Sequence, residues 1–163
     1  GPAIFAQAAQ MASQNQARIA LSLSDPWCVD RHRADLRHYV TDHVDILFAN
    51  EDEAISLVET EHSTSVKLLG GLVDEVVITR GPLGAVICHG GRQFLLDAMP
   101  QGPVIDTTGA GDLFAAGYLF GRTHGYDAQV SGQIASMLAG EVISHLGARP
   151  HADLLALTKP LIG

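Results

Sequence analysis

Asp106 to Gly121 reads DTTGAGDLFAAGYLFG, a run that places small and hydroxylated residues directly before a wholly apolar helix pattern. A helix that opens on such residues leaves several backbone N–H groups bare, and the helix dipole adds a positive field, so the start can hold a phosphate. Gly109 and Gly111 remove side chains that would block that approach, and Ala110 adds only a methyl. Asp112 is out of place in a plain anion site, because a carboxylate repels phosphate. It gains a purpose if it takes a proton from a hydroxyl attacking beside the anion. The plain alternative is a helix N-terminus with an acid in its first turn. This stretch alone leaves both open.

Two other runs carry candidate chemistry. Asn50-Glu51-Asp52-Glu53 follows the apolar run DILFAN, where Asn50 is a natural N-cap and the acids suit a positive first turn. TRGPLG, Thr79 to Gly84, follows the strand-like DEVVIT and reads as a strand end with a turn. The phosphate loop GxxxxGK[ST] is absent, and no GxGxxG follows the first strand, which lowers a nicotinamide or flavin assignment. The 8 histidines show no paired ligand spacing, and His32, His38 and His43 fit an exposed helix face better than a metal site. Cys28 and Cys88, without CxxC spacing, read as reduced, partly buried thiols.

The elements that must position these residues follow from hydrophobic periodicity. Residues 3–17 predict a helix, 18–24 a strand ended by DPW, 30–40 a charged amphipathic helix, and 45–50 a short strand. A helix through EDEAISLVE and another over SVKLLGGL come next, the latter stopped by Gly70 and Gly71. DEVVITRG is a strand, and GAVICHGGRQFLL a hairpin turning at Gly90 and Gly91. Two helices close the pattern, one starting within GAGD and one with Val130, Ile134, Met137 and Leu138 on one face, before a last short helix over ADLLALTK. Alternating strands and helices with a hairpin imply an α/β fold, a mostly parallel sheet covered on its faces. Ligands of such sheets gather at the carboxyl ends of the strands, where Asn50, Thr79 and the GAGD loop are expected to converge.

Composition bounds the partners. The 163 residues are 47% hydrophobic, enough for one domain with a real core and against disorder. A net charge of -8 argues against nucleic acid or an anionic membrane as the main partner. No run approaches the ~20 apolar residues of a membrane span, and no secretory signal is evident. A cytoplasmic protein is expected. The first residue is Gly1 rather than Met, which points to a processed, truncated or partial chain.

Taken together, DTTGAGD, N-x-x-E at Asn50 to Glu53 and TRGPLG at Thr79 to Gly84 resemble the ribokinase-type (PfkB) carbohydrate kinases, in that family's order and with plausible spacing. The agreement runs from about Arg18 to Pro150. The resemblance implies a ribokinase-like three-layer α/β/α fold, of which residues 1–163 would be the later, nucleotide-binding half as a single domain portion. The earlier half, with the acceptor-binding part and a β lid, is not visible.

Position by position, the resemblance gives Asp112 the role of catalytic base, deprotonating an acceptor hydroxyl for attack on the γ-phosphate of ATP. The amides of Gly109, Ala110, Gly111 and Asp112 match the anion hole. Asn50 and Glu53 match the motif that organises Mg2+ and phosphate through water, and Thr79, Gly81 and Gly84 the strand-end loop along the nucleotide. Asp106 and Thr108 resemble the ligands of the activating monovalent cation (K+) found in many members, and Ser136 falls at the adenine edge. LSLSDPWCVDRHRADL and NEDEA look closest to bacterial adenosine-kinase-like sugar kinases. The implied partner is a small nucleoside or sugar, with ribokinase- and fructokinase-type acceptors also open, and a homodimer in the full-length protein is allowed. Two alternatives stand beside the kinase: a nucleotide-binding remnant without turnover, and a plain dinucleotide-binding or regulatory α/β domain.

Overall fold

The computed structural model describes residues 2–163. Its elements alternate as the periodicity requires: α1 (Pro2–Gln14), β1 (Ala20–Ser22), α2 (Pro26–His43), β2 (Ile46–Asn50), α3 (Glu51–Val58), α4 (His62–Leu69) and β3 (Glu75–Thr79). The hairpin β4 (Ala85–His89) and β5 (Arg92–Leu96) follows, then α5 (Ala110–Thr123), α6 (Ala128–Val142) and α7 (Leu154–Ile162). The sheet order is β1-β2-β3-β4-β5. β1 and β2 run parallel, as do β2 and β3. The two-residue link at Gly90 and Gly91 permits only an antiparallel pairing of β4 with β5, so the sheet is mixed.

The chain groups into two compact units, residues 1–79 with 88–93, and residues 80–87 with 94–163. In the first unit, β2 and β3 are continuous apolar runs because both of their faces are covered. Leu47, Val76, Val77 and Ile78 are fully buried, each worth ~1.5–3 kcal/mol relative to exposure. Glu75, at the start of β3, is equally buried, and its carboxylate pairs with Arg18 at 3.0 Å.

In the second unit α5 and α6 pack through small residues. A Cβ at Gly117 would lie 2.8 Å from the Ala135 Cα, and one at Gly121 2.7 Å from the Ser131 Cα, so the two helices approach closely. Ile134, Met137 and Leu138 are buried on the expected face of α6. Carboxylates cap α6 and α7: Asp127 accepts the N–H of Val130 at 2.8 Å and Asp153 that of Ala156 at 3.1 Å.

Two expectations change. Asp25 and Pro26 do not merely end β1; Asp25 accepts the Trp27 N–H at 2.7 Å and Pro26 opens α2, which therefore begins well before residue 30. Cys28 is exposed rather than partly buried, because it lies on α2 beside Val29, the residue that turns inward; Cys88 is buried, and both are free thiols. His32, His38 and His43 are exposed on α2. Among the described residues, no helix is long and apolar enough to cross a membrane.

Candidate active site

In the first unit, the carboxyl ends of β2 and β3 place Asn50 and Thr79 as partners in the parallel register. Both are half-buried, at the strand ends where α/β sheets bind ligands. Asn50 also begins α3 with a full capping box. Its Oδ1 accepts the Glu53 N–H at 2.8 Å. In return Glu53 Oε2 accepts the Asn50 N–H and Oε1 accepts Asn50 Nδ2–H, each at 2.9 Å. The second of these contacts exceeds what capping needs. It commits both carboxylate oxygens of a residue that is only 5% exposed. Burial pushes the Glu53 carboxyl above its ordinary range, the Asn50 amide opposes this, and the charges of Asp25 and Asp52 add to it.

The TRGPLG run divides into glycines of different kinds. Gly81 opens a short 3-10 turn at φ +54° with open space around it. Gly84 has φ +82°, and a Cβ there would fall 1.9 Å from the Leu96 carbonyl oxygen. Gly84 is thus required by the β4–β5 backbone itself.

In the second unit, α5 begins at Gly109, its N-cap, in the left-handed conformation with φ +84° and no side-chain cap. α2, α3, α6 and α7 instead fold an Asp or Asn oxygen over their first amides. The first-turn N–H groups of α5 have no intrahelical acceptor, and the residue that would usually take one of them has no side chain. A Cβ on Gly109 would lie 2.8 Å from the Ala148 Cβ, so only glycine fits that turn. At Gly111 nothing lies within 4 Å of such a Cβ, and the approach to the helix start is open. Asp112 is exposed in that same first turn. The Ala110 N–H donates to the Thr107 carbonyl at 3.2 Å, which leaves the Gly111 and Asp112 amides beside an accessible carboxylate, able to hold an anion and to accept a proton next to it.

The loop before α5 is organised by Asp106. Its Oδ1 accepts the Thr108 N–H at 2.9 Å and the Thr108 hydroxyl at 2.7 Å, and Oδ2 accepts the Gly147 N–H at 2.9 Å. The Thr108 hydroxyl, then the Gly147 and Thr108 amides, hold its pKa at about 2, with His145 adding a smaller effect against slight burial. Ser136 lies within α6, 4% exposed, and its hydroxyl has no partner among the described residues. Gly147 escaped the sequence reading, although a glycine in HLGARP signals a left-handed turn; here its φ is +90°.

These residues suit some cations better than others. No group of three or more His, Cys, Asp or Glu among the described residues is arranged to hold a metal ion. Glu53, with both oxygens already accepting hydrogen bonds, suits a hydrated divalent cation at one water's remove rather than direct ligation. Asp106, whose three accepted hydrogen bonds favour its ionised form, keeps a negative charge beside its loop that can attract a cation.

The sequence pattern of the pfkB family carbohydrate kinases matches residues 2–153. The chain belongs to that family. Among relatives of this pfkB-family chain, the cytidine kinase of Thermococcus kodakarensis is 34% identical over 120 residues, covering 71% of this chain and 42% of that protein. The nucleoside kinase of Methanocaldococcus jannaschii is 32% identical over 111 residues, covering 66% of this chain and 35% of the relative. The crystal structure of adenosine kinase from Sinorhizobium meliloti superposes with a TM-score of 0.91 at 34% identity, over 96% of this chain and 49% of that one. The fold is ribokinase-like, and the chain covers part of that domain. It spans about half the length of the solved relative and less of the two curated ones.

Proposed function

We propose that residues 1–163 form the nucleotide-binding and phosphoryl-transfer portion of an ATP-dependent kinase that phosphorylates a hydroxymethyl group of a nucleoside or sugar. The observation that carries this is the start of α5: an uncapped helix at Gly109, open space at Gly111, and an exposed Asp112 in the first turn.

The chemistry assigns each part a step. Asp112 takes the proton of the acceptor hydroxyl as its oxygen bonds to the γ-phosphorus of ATP. The bond from that phosphorus to the β–γ bridging oxygen breaks, and ADP leaves with the electron pair. The amides of Gly109 to Asp112 would hold the charge that builds on the transferring oxygens, that of Ala110 once it leaves the Thr107 carbonyl. Mg2+, when bound, neutralises phosphate charge; Asn50 and Glu53 are the residues that would hold its water shell. Asp106 and Thr108 would hold a monovalent cation such as K+. On this assignment Thr79, Gly81 and Gly84 would line the nucleotide and Ser136 its adenine edge. The cytoplasm, where ATP is made available, is the expected location, and a homodimer of the full-length protein is compatible with this assignment.

A second assignment, a nucleotide-binding portion without turnover by itself, is favoured by one fact: the chain spans only about half of the solved adenosine kinase. Binding and turnover separate the two. The 163-residue chain should bind an ATP analogue in either case and be stabilised by it. Transfer of phosphate by this chain alone supports the first, whereas binding without transfer, with transfer by the intact natural protein, supports the second. Stabilisation by NADH and not by an ATP analogue would overturn both.

A further inference from the structure

Near the end of α6 in the second unit, Glu141 is 5% exposed. Its Oε1 accepts the amide N–H groups of His151 at 2.8 Å and Ala152 at 2.9 Å, and lies 3.3 Å from His145 Nε2. Its Oε2 is enclosed and has no hydrogen-bond partner among the described residues. The rings of His145 and His151 stack with centroids 3.6 Å apart. One carboxylate therefore fastens both ends of the 145–152 loop to α6.

Burial of a carboxylate with one bare oxygen, in a last turn that faces the negative end of the helix dipole, opposes its charge. The Ala152 and His151 amides, with His145, outweigh that burial and hold the Glu141 carboxyl below its ordinary range. An alanine here would avoid both opposing effects, so the loop that Glu141 fastens is where the return must be sought. That loop carries two supports of the candidate site. Gly147 gives its N–H to Asp106 at 2.9 Å, and Ala148 packs where a Cβ on Gly109 would stand, 2.8 Å away. Asp106 in turn orders Thr108, the residue immediately before Gly109.

We propose that Glu141 is a positioning residue for the phosphate-binding start of α5: it clamps the 145–152 loop and so sets Gly147 against Asp106 and Ala148 against Gly109. Glu141 itself touches no substrate. Its effect on nucleotide binding rests on the kinase assignment; its effect on the loop does not.

The test uses the 163-residue chain with Glu141→Ala and Glu141→Gln, reading amide hydrogen exchange at Gly147 and affinity for an ATP analogue. Glu141→Ala should speed exchange at Gly147 by about tenfold or more while β2 amides stay protected. It should weaken nucleotide affinity by about tenfold, and Glu141→Gln, whose carbonyl can accept both amides, should restore most of each loss. In the Asp106→Asn background, adding Glu141→Ala should change affinity by less than about threefold, because both act through one loop. Unchanged exchange at Gly147 in Glu141→Ala, or affinity losses that multiply in the double variant, would overturn the proposal. If Glu141→Ala does not fold, Glu141→Asp, one methylene shorter, is read in the same way with the same outcomes. If the wild-type chain binds no ATP analogue, the kinase assignment is what fails, and exchange at Gly147 alone decides for or against the clamp.

Discussion

The Asp106 carboxylate accepts the amide N–H of Gly147 at 2.9 Å, joining two loops 41 residues apart in sequence. The other oxygen holds both donors of Thr108. All these hydrogen bonds favour the ionised form, which is why the group titrates near 2 rather than at its ordinary 3.8.

That difference fixes the sign of an acid effect. A carboxyl whose folded-state pKa lies below its unfolded value adds stability above the unfolded value, 3.8, and loses it as pH falls through about 2. Asp106→Asn should therefore flatten the fall in stability over that window. Urea-unfolding midpoints measured from about pH 5 downward, wild type against variant, provide the check. Parallel curves would show that the folded state does not favour the ionised Asp106.

Gly109 and Gly111 should behave oppositely. Gly109→Ala forces an L side chain to φ +84° and against Ala148, and should cost about 1–3 kcal/mol or more of stability. Gly111→Ala meets open space inside a helix and should gain about 0.5–1 kcal/mol, yet weaken ATP-analogue binding by placing a methyl in the anion approach. Thermal unfolding and nucleotide titration of the two variants separate these effects. A Gly111→Ala chain that binds nucleotide as tightly as wild type would remove Gly111 from the anion site.

Asn50 combines a cap with a second contact, and the two can be divided. Asn50→Ser keeps an oxygen for the Glu53 N–H but loses the Nδ2 donor that holds Glu53 Oε1. Stability should fall by less than about 1 kcal/mol, whereas Asn50→Ala should lose about 0.5–2 kcal/mol. Both variants should weaken the Mg2+ dependence of nucleotide binding to a similar degree. If Asn50→Ser binds Mg2+ and nucleotide like wild type, Asn50 is a cap and nothing more.

Much of this is legible in the sequence alone. The continuous apolar runs of β2 and β3 announce covered parallel strands, and Gly90 and Gly91 announce the hairpin, because each signal is local. DTTGAGD announced the uncapped helix start for the same reason. What stayed hidden depends on partners distant in sequence. The need for glycine at Gly84 comes from the Leu96 carbonyl, that at Gly109 from Ala148, and the role of Glu141 from amides ten and eleven residues later. Asp25 was misjudged because a strand end and a helix cap use the same residue types.

The most direct test of the central claim is transfer of labelled γ-phosphate from ATP to a panel of nucleosides and sugars by the intact natural protein, with and without Asp112→Asn. The wild type should phosphorylate at least one acceptor. The variant should bind ATP within about threefold of wild type and transfer phosphate about 100- to 10,000-fold more slowly, because the amides remain and the base is gone. A near-wild-type rate for Asp112→Asn, or no transfer to any acceptor with Asp112 intact, would contradict the account.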